Sequence, residues 1–234
     1  MYKTYFKRLF DLFVSLSLLI ILFPLFLIIG IIVWIETKKF PVFKQLRGLS
    51  LNNQVFYIYK FRTLVESNSS SVKLNSNNSL KREHLSTHLT LSGKILRKTG
   101  LDELPQLINI IKGEMSLIGP RPLILEDLHI IKNSFPKVYE HRDSMKIKPG
   151  ITGLWQINRD KDFSIHILHY WDSYYSNNIT FLNDIKILFD TIYVILLSKH
   201  KDAILPEQKI RLSLSLTIIF LYTFFYTITI SFLF

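Results

Sequence analysis

The sequence has no cysteine among its 234 residues. This absence excludes a disulfide scaffold, a cysteine-ligated zinc or iron–sulfur site and a thiol nucleophile. Glycine is also scarce, with 8 residues, and no GxGxxG, GxxxxGKS or GxxxxGKT pattern occurs. The chain therefore has neither the Rossmann fingerprint nor the P-loop.

Acidic residues are outnumbered, because 18 Asp and Glu stand against 29 Lys and Arg and give a formal net charge of +11. Hydrophobic residues make up 48% of the chain. This combination fits neither an intrinsically disordered chain nor an ordinary soluble enzyme. Two non-catalytic interpretations suit the charge: a basic adaptor on an anionic membrane, and a membrane-tethered nucleic-acid binder.

The N-terminal apolar stretch runs from Leu12 to Ile35, 24 residues without a charge. As a helix it would be about 36 Å long, enough to cross the hydrocarbon core. Pro24 lies at its centre, where proline kinks a helix. Residues 1–11 carry a net charge of +2 and residues 36–62 of +5, so the positive-inside rule holds both ends on the cytoplasmic side. A re-entrant helix that bends at Pro24 satisfies both observations, and an ordinary spanning helix is the alternative.

Residues 41–63 have the pattern of a β-hairpin. Two β-rich runs, Val42–Arg47 and Val55–Thr63, flank a turn segment that contains glycine and asparagine. Alternation places Lys60 and Arg62 on one face of the second run, roughly 6–7 Å apart. That spacing suits a diphosphate clamp. A solvated strand end near anionic lipid is the simpler alternative.

The pair Asp102 and Glu103 stands just before Pro105, a residue typical of the first turn of a helix. An apolar stripe at helical spacing continues from there: Leu104, Leu107, Ile108 and Ile111. The two carboxylates thus belong to a helix N-terminus, where the helix dipole favours their ionised form. Helix capping by Asp102 is the simplest interpretation of this pattern.

The surroundings of this pair indicate a phosphate site instead. Arg97 precedes it, and Gly-Pro-Arg-Pro at 119–122 is a stiff turn that fixes Arg121 in one direction. A pre-placed arginine near two carboxylates suits a phosphate group with a divalent metal between the like charges. A second glycine-containing loop, Lys148–Gln156, could bring backbone N–H groups close to an anion.

Taken in order, these segments resemble the bacterial sugar transferases, the monotopic polyprenyl-phosphate hexose-1-phosphate transferases. The resemblance covers about residues 5–198. The matching segments are FKRLFD at 6–11, PVFKQ at 41–45, YKFRT at 59–63, LRKT at 96–99, LDELPQ at 101–106, GPRP at 119–122, KPGITGLWQ at 148–156 and DIKIL at 184–188. The chain departs from the family at Phe23, where a serine usually precedes the helix-breaking proline.

The resemblance implies transfer of a sugar 1-phosphate from a UDP-sugar to polyprenyl (undecaprenyl) phosphate, with release of UMP and dependence on Mg²⁺. It implies that Asp102 is the nucleophile that forms a phosphosugar–enzyme intermediate, with Glu103 as its partner, and that Asp102 is the candidate Mg²⁺ ligand. The phosphate and nucleotide contacts that it implies are Lys60, Arg62, Arg97 and Arg121. The expected setting is the bacterial inner (cytoplasmic) membrane, with the active site on the cytoplasmic face, contact with membrane lipid and no nucleic acid. A homo-oligomer is compatible with the resemblance.

The sequence thus predicts an α+β, mostly helical fold: a re-entrant membrane helix at 1–40, a cytoplasmic catalytic domain with a small β-hairpin at 41–200, and an extra C-terminal apolar helix at 212–234. The last segment carries no charge, would be about 35 Å long and follows a basic flank, which predicts a spanning helix. Its β-branched content leaves a strand as the alternative. Ile185–Leu197 is expected to lie along the membrane surface as an apolar helix. Six serines and four asparagines predict a flexible surface loop at 67–79.

Overall fold

Helices form most of the computed structural model, which describes residues 2–65, 72–74, 80–82, 89–158 and 164–196. The helices, from α1 to α9, are Lys7–Ile21, Phe23–Thr37, Leu91–Thr99, Gln106–Lys112, Leu125–Ser134, Pro136–Asp143, Leu154–Ile157, Ile165–Asn177 and Phe181–Leu196. The strands, from β1 to β7, are Val42–Gly48, Phe56–Phe61, Val72–Leu74, Leu80–Arg82, Ser116–Ile118, Leu123–Ile124 and Gly150–Thr152. The predicted mostly helical α+β fold is confirmed. The predicted C-terminal helix at 212–234 lies outside the described residues.

The predicted hairpin is present as β1 and β2. The two strands pair antiparallel in a register that sets Phe43 opposite Lys60 and Arg47 opposite Phe56. Phe56 is buried, so this face of the hairpin turns towards the core. β6 pairs with the other edge of β1, which gives the sheet order β2-β1-β6. Because β6 follows the turn at 119–122, this third strand brings that turn next to the hairpin.

β5 and β7 form a two-stranded parallel sheet. Ser116 lies opposite Gly150, and Ile118 lies opposite Thr152. A parallel pair needs a long crossover connection, which the helices α5 and α6 supply here. The two loops that contain glycine and proline are thereby brought together, although they are far apart in the sequence.

α1 and α2 form a pair bent by 64°. The bend falls between Ile21 and Phe23, and Pro24 lies at the start of α2, where its missing N–H would have no partner within the helix. The bend therefore lies where Pro24 predicts it. Within the described ranges, no single helix is long and apolar enough to cross a membrane, whereas this bent pair meets the requirement by length and composition.

α1 turns a polar stripe towards the core. Lys7, Asp11 and Ser15 follow one another at i, i+4 spacing and are all buried. The Lys7 ammonium forms an ion pair of 2.6 Å with Asp184 on α9, and an Asp11 carboxylate oxygen accepts the Leu117 N–H of β5 at 3.1 Å. Large apolar side chains occupy the opposite, exposed face: Leu9, Phe13, Leu16 and Ile20. This inverted pattern suits a helix that faces lipid on one side and the protein on the other.

The predicted helix at Ile185–Leu197 is present as α9. Asp184 and Ile187 on this helix are buried. Its exposed side chains include five large apolar or aromatic ones: Phe181, Leu182, Phe189, Ile192 and Tyr193.

The prediction of a loop over the whole of 67–79 is wrong at Val72–Leu74. These residues form β3, which pairs antiparallel with Leu80–Arg82 of β4. A strand of three residues is too short to show an alternation that predicts it, and serines and asparagines surround it in the sequence. The other residues of the predicted loop lie outside the described ranges.

Candidate active site

Asp102 and Glu103 lie on a short turn between two helices. α3 is followed by Gly100, which has a left-handed conformation with φ of 72° that glycine adopts without strain. A 3₁₀ turn over Leu101–Glu103 comes next, and we call it the dyad turn. Asp102 is buried, and the cap residue of α4 is Pro105. Asp102 therefore does not occupy the cap position of α4.

A small pocket lies beside the dyad turn. The space between its lining atoms is about 180 Å³, part of which is open to solvent. Its walls come from the hairpin, the first turn of α4 and both glycine-containing loops: Arg47, Ile58, Lys60, Glu103, Gln106, Arg121, Pro122, Gly150 and Ile151. Three of the predicted site residues, Lys60, Glu103 and Arg121, therefore meet in one pocket.

Lys60 and Glu103 form an ion pair in this pocket. Their side chains expose only 16% and 13% of their surface, so both charges are largely shielded from water. Partial burial strengthens the attraction between them compared with a pair on the open surface. The ion pair therefore joins β2 to the dyad turn and places an ammonium group at the pocket wall.

The turn that carries Arg121 is held by its neighbours. The Arg121 guanidinium lies 5.5 Å from the centroid of the Trp155 ring, and the Arg121 carbonyl accepts a hydrogen bond of 2.6 Å from Arg142 Nη2. Gly119 and Gly150 allow close approach, because a Cβ on Gly150 would lie 2.1 Å from the Gly119 nitrogen. A larger residue at either glycine would separate the two loops and open the pocket.

The N–H groups of these glycines are used within the protein. The Gly150 N–H donates to the Pro120 carbonyl at 3.0 Å, and the Gly119 N–H donates to the Thr152 carbonyl at 3.0 Å. The prediction that the loop Lys148–Gln156 offers backbone N–H groups to an anion is therefore wrong at Gly150. The Gly150 N–H instead forms a hydrogen bond that joins this loop to the turn at 119–122.

Arg142 is fully buried and joins three parts of the fold. Its Nε donates to the Leu49 carbonyl after β1 at 2.8 Å, its Nη2 holds the Arg121 carbonyl, and its Nη1 forms an ion pair with Asp172 on α8. Burial raises the pKa of Asp172 to about 6, against the lowering effect of the Arg142 guanidinium. Arg142 thus fixes the turn from which Arg121 reaches the pocket.

Arg62 directly follows β2 and Arg97 lies on α3, and neither is among the residues that line this pocket. The Arg97 Nε donates to Thr63 Oγ1 at 2.9 Å. The Arg62 Nε donates to the Phe40 carbonyl at 3.3 Å, and its guanidinium lies 5.6 Å from the centroid of the Phe43 ring. Arg62 thus contacts different groups from the lysine two positions earlier, and the diphosphate clamp stays a prediction.

The carboxylates of the dyad turn fit Mg²⁺. In the part of the chain that the structure describes, no three histidine, aspartate or glutamate side chains are close enough to form a metal cluster. Mg²⁺ does not need one, because it is commonly bound by one or two carboxylates together with substrate phosphates and water. Asp102 and Glu103 offer two such carboxylates next to a cationic pocket.

A model of the bacterial sugar transferase family matches residues 2–198. The chain belongs to this family. The exopolysaccharide production protein ExoY of Sinorhizobium fredii is 36% identical over 203 residues, which cover 82% of this chain and 86% of the relative. The undecaprenyl-phosphate galactose phosphotransferase of Salmonella typhimurium is 35% identical over 201 residues, 81% of this chain and 40% of the relative. The UDP-glucose:undecaprenyl-phosphate glucose-1-phosphate transferase of Klebsiella pneumoniae is 34% identical over 195 residues, 80% of this chain and 39% of the relative.

Three residues of this sugar transferase were missed by the sequence analysis: Arg47, Gln106 and Arg142. Arg47 lies on the same face of the hairpin as Lys60. The register of the two strands is therefore enough to place Arg47 beside Lys60. Gln106 follows Glu103 by three residues, a spacing that sets both on one side of a helical turn. Arg142 gave no local signal, because its partners come from distant segments.

Proposed function

We propose that this protein transfers a sugar 1-phosphate from a UDP-sugar to undecaprenyl phosphate, with release of UMP, as a step of exopolysaccharide or related surface-glycan synthesis. The names of two relatives state such a lipid acceptor, and the name of a third states exopolysaccharide production. The chain covers about 40% of the two relatives that name the acceptor and 86% of ExoY.

The observation that supports the proposal is the pocket in which cations face Glu103, the carboxylate next to the buried Asp102 in the sequence. A UDP-sugar and undecaprenyl phosphate are both anionic, and a carboxylate that approaches a diphosphate is repelled by it. Arg47, Lys60 and Arg121 line the pocket and offset this repulsion. The dyad turn supplies Glu103 to the pocket wall, and Asp102 precedes it on the same turn without being among the lining residues.

The reaction then proceeds in two displacements at the same phosphorus. An Asp102 carboxylate oxygen attacks the phosphorus that bears the sugar, the bond to the UMP oxygen breaks, and UMP leaves with that electron pair. A phosphate oxygen of undecaprenyl phosphate then attacks the same phosphorus, and the bond to Asp102 breaks. The products are the undecaprenyl diphosphate sugar and the regenerated carboxylate.

The other residues bind and orient the diphosphate. Arg121 presents a planar guanidinium that suits two phosphate oxygens, and Lys60 presents a point charge beside Glu103. Arg62 and Arg97 bind the nucleotide end in this proposal. Asp102 would hold Mg²⁺, which would supply neutralisation of phosphate charge.

The family is membrane-associated, and we place this chain at the bacterial inner membrane with the pocket on the cytoplasmic side. The bent pair α1 and α2 enters the lipid and returns to the same face, since both of its flanks are basic. Undecaprenyl phosphate is itself a membrane lipid, so the acceptor reaches the pocket from the bilayer surface.

The test is UMP release by the purified full chain in lipid nanodiscs, with a panel of UDP-sugars, undecaprenyl phosphate and Mg²⁺. One sugar nucleotide is expected to give UMP that depends on the acceptor, and chelation of Mg²⁺ is expected to stop it. Binding to anionic vesicles or salt-sensitive binding to nucleic acid, without turnover of any UDP-sugar, would overturn the proposal in favour of a basic adaptor or a nucleic-acid binder.

A further inference from the structure

The helix after the dyad turn is held at its far end by α1. Arg8 Nη1 donates to the Ile110 carbonyl at 2.6 Å, and Arg8 Nη2 donates to the Ile111 carbonyl at 3.0 Å. Both carbonyls belong to the last turn of α4, where a helix presents partial negative charge. The guanidinium fork therefore holds the end of α4 by charge and by two hydrogen bonds.

The helix before the dyad turn is held at its far end by α2. Both Glu36 carboxylate oxygens accept the Ser92 N–H, at 3.2 and 3.3 Å, and one of them also accepts the Ser92 hydroxyl. Ser92 lies in the first turn of α3, where the helix presents partial positive charge and the N–H groups have no partner within the helix. Each contact thus pairs a side chain with the end of a helix dipole of opposite sign.

The apolar sides of the same two helices pack beneath the dyad turn. Ile29 and Val33 of α2 are buried in one cluster with Leu96 of α3, and Leu101 and Leu104, which flank the dyad, pack against that cluster. On the other side, four side chains of α1 pack against a second cluster that contains two buried residues of α4, Leu107 and Ile110. The α1 side chains are Phe10, Val14, Leu18 and Leu19.

From these contacts we propose that the bent helix pair is part of the active-site scaffold, and that Arg8 and Glu36 are positioning residues that set the dyad turn against the pocket. α3, the dyad turn and α4 form one continuous segment whose two outer ends are held by opposite arms of the pair. The angle between α1 and α2 thereby fixes the separation of those ends. The inference rests on the proposed catalytic role of the dyad turn.

Glu36 offers the cleaner test, because it is exposed and its removal leaves no unpaired buried charge. A Glu36→Ala variant is expected to lower kcat at least about tenfold while KM for the UDP-sugar changes less than about threefold, since a small displacement of reacting groups costs rate rather than binding. Glu36→Gln keeps an acceptor oxygen and is expected to restore most of the rate. The Tm is expected to stay within about 5 °C of the parent value.

Arg8 is tested in parallel. Arg8→Gln is expected to lower kcat in the same way, and Arg8→Lys, which keeps the charge but loses the fork, is expected to give an intermediate rate. The matched controls are Lys3→Gln and Lys38→Gln, which remove exposed charges from the outer ends of the same two arms. Both controls are expected to have the parent kcat.

Hydrogen exchange separates a failure of this inference from a failure of the proposed function, because it needs no substrate. Amides of residues 91–112 are expected to exchange faster in Glu36→Ala and Arg8→Gln than in the controls. Unchanged exchange and unchanged kcat would overturn the positioning role. A loss of Tm that matches the loss of kcat in Glu36→Ala would also overturn it, because the contact would then serve stability alone. Faster exchange in Glu36→Ala and Arg8→Gln, together with a parent protein that turns over no UDP-sugar, would support the scaffold and reject the catalytic proposal.

Discussion

Lys60 on the hairpin and Glu103 on the dyad turn form an ion pair across the pocket, and the two residues are 43 positions apart in the sequence. The pair holds one carboxylate of the dyad in place and leaves a cation at the wall that a diphosphate must approach. The same contact therefore contributes to the stability of the fold and to the charge of the site, and these two roles can be separated by substitution.

Lys60→Met is expected to destabilise the protein by about 1–3 kcal/mol, because it removes the ammonium group that pairs with the largely shielded Glu103 carboxylate. The double variant Lys60→Met with Glu103→Gln is expected to regain most of that stability and to stay inactive. Denaturant titration and UMP release measure the two effects. Recovery of activity in the double variant would show that neither charge serves the reaction.

Asp102→Asn is expected to reduce UMP release by about 10³-fold or more and to abolish any phosphosugar adduct, since an amide is a poor nucleophile. Intact-protein mass spectrometry after incubation with the donor alone detects the adduct. Glu103→Gln is expected to be severely impaired. Near-parental turnover in a folded Asp102→Asn protein would reject Asp102 as the nucleophile.

Arg121→Lys and Arg97→Lys are expected to lower activity by about 10- to 100-fold while Tm and detergent extraction stay close to the parent values. Lysine keeps the charge and loses the planar fork that suits phosphate oxygens. If Tm and activity fall together, these arginines act on folding. Lys137→Arg, at an exposed cation on α6, is the control.

Acidification is expected to destabilise the protein through two facing histidines. His141 and His169 have ring centroids 4.9 Å apart, and burial lowers the pKa of both, helped by the charges of neighbouring histidines and Arg142. A lowered histidine pKa means that the unfolded chain binds more protons, so stability falls as pH drops from about 7 to 5. The raised pKa of Asp172 has the opposite effect, since it makes stability rise as pH falls. The histidine contribution is therefore measured by comparing the parent with a variant that lacks both histidines.

The double variant His141→Gln with His169→Gln is expected to lose less stability than the parent over that pH range. Thermal melts between pH 7 and pH 5 measure the difference. Parallel curves for the two proteins would show that the histidine pair does not titrate with folding.

Cysteine labelling tests the membrane topology, because the native chain has no cysteine. In intact cells a cysteine appended after Phe234 is expected to react with an impermeant reagent, while one introduced by Lys3→Cys reacts only after lysis. This follows from a re-entrant N-terminal pair and a spanning segment at 212–234. Labelling of the C-terminal cysteine only after lysis would contradict the spanning segment.

Short sequence patterns correctly predicted the elements that depend mainly on residues close together in the chain. The alternation in the second β-rich run predicted β2 and the face that carries Lys60, and Pro105 predicted a helix directly after Asp102 and Glu103. The apolar stripe was only partly right, since Ile108 is exposed and Ile110 is fully buried instead. α4 is covered on two sides, by the hairpin and by α1, so a single stripe does not describe its buried surface.

The features that the sequence did not predict depend on contacts between segments that are far apart in the chain. The parallel pairing of β5 and β7 uses strands of three residues, which are too short to show a period. Arg142 is charged and is therefore expected at the surface, although it is buried and Leu49, Arg121 and Asp172 each accept a hydrogen bond from one of its three nitrogens. Such a residue is recognised only after the fold has brought its acceptors together.

The ion pair of Lys7 with Asp184 has a consequence for biosynthesis. These residues are 177 positions apart, and Asp184 also accepts the hydroxyl hydrogens of Tyr2 and Tyr175. On the ribosome, α1 emerges long before the carboxylate that neutralises its buried lysine has been translated. A nascent chain that stops short of Asp184 contains every residue of the pocket, but its Lys7 ammonium has not yet met the carboxylate with which it pairs in the folded protein. The pairing therefore makes the docking of the N-terminal helix a late event, which only a chain translated beyond α8 can complete.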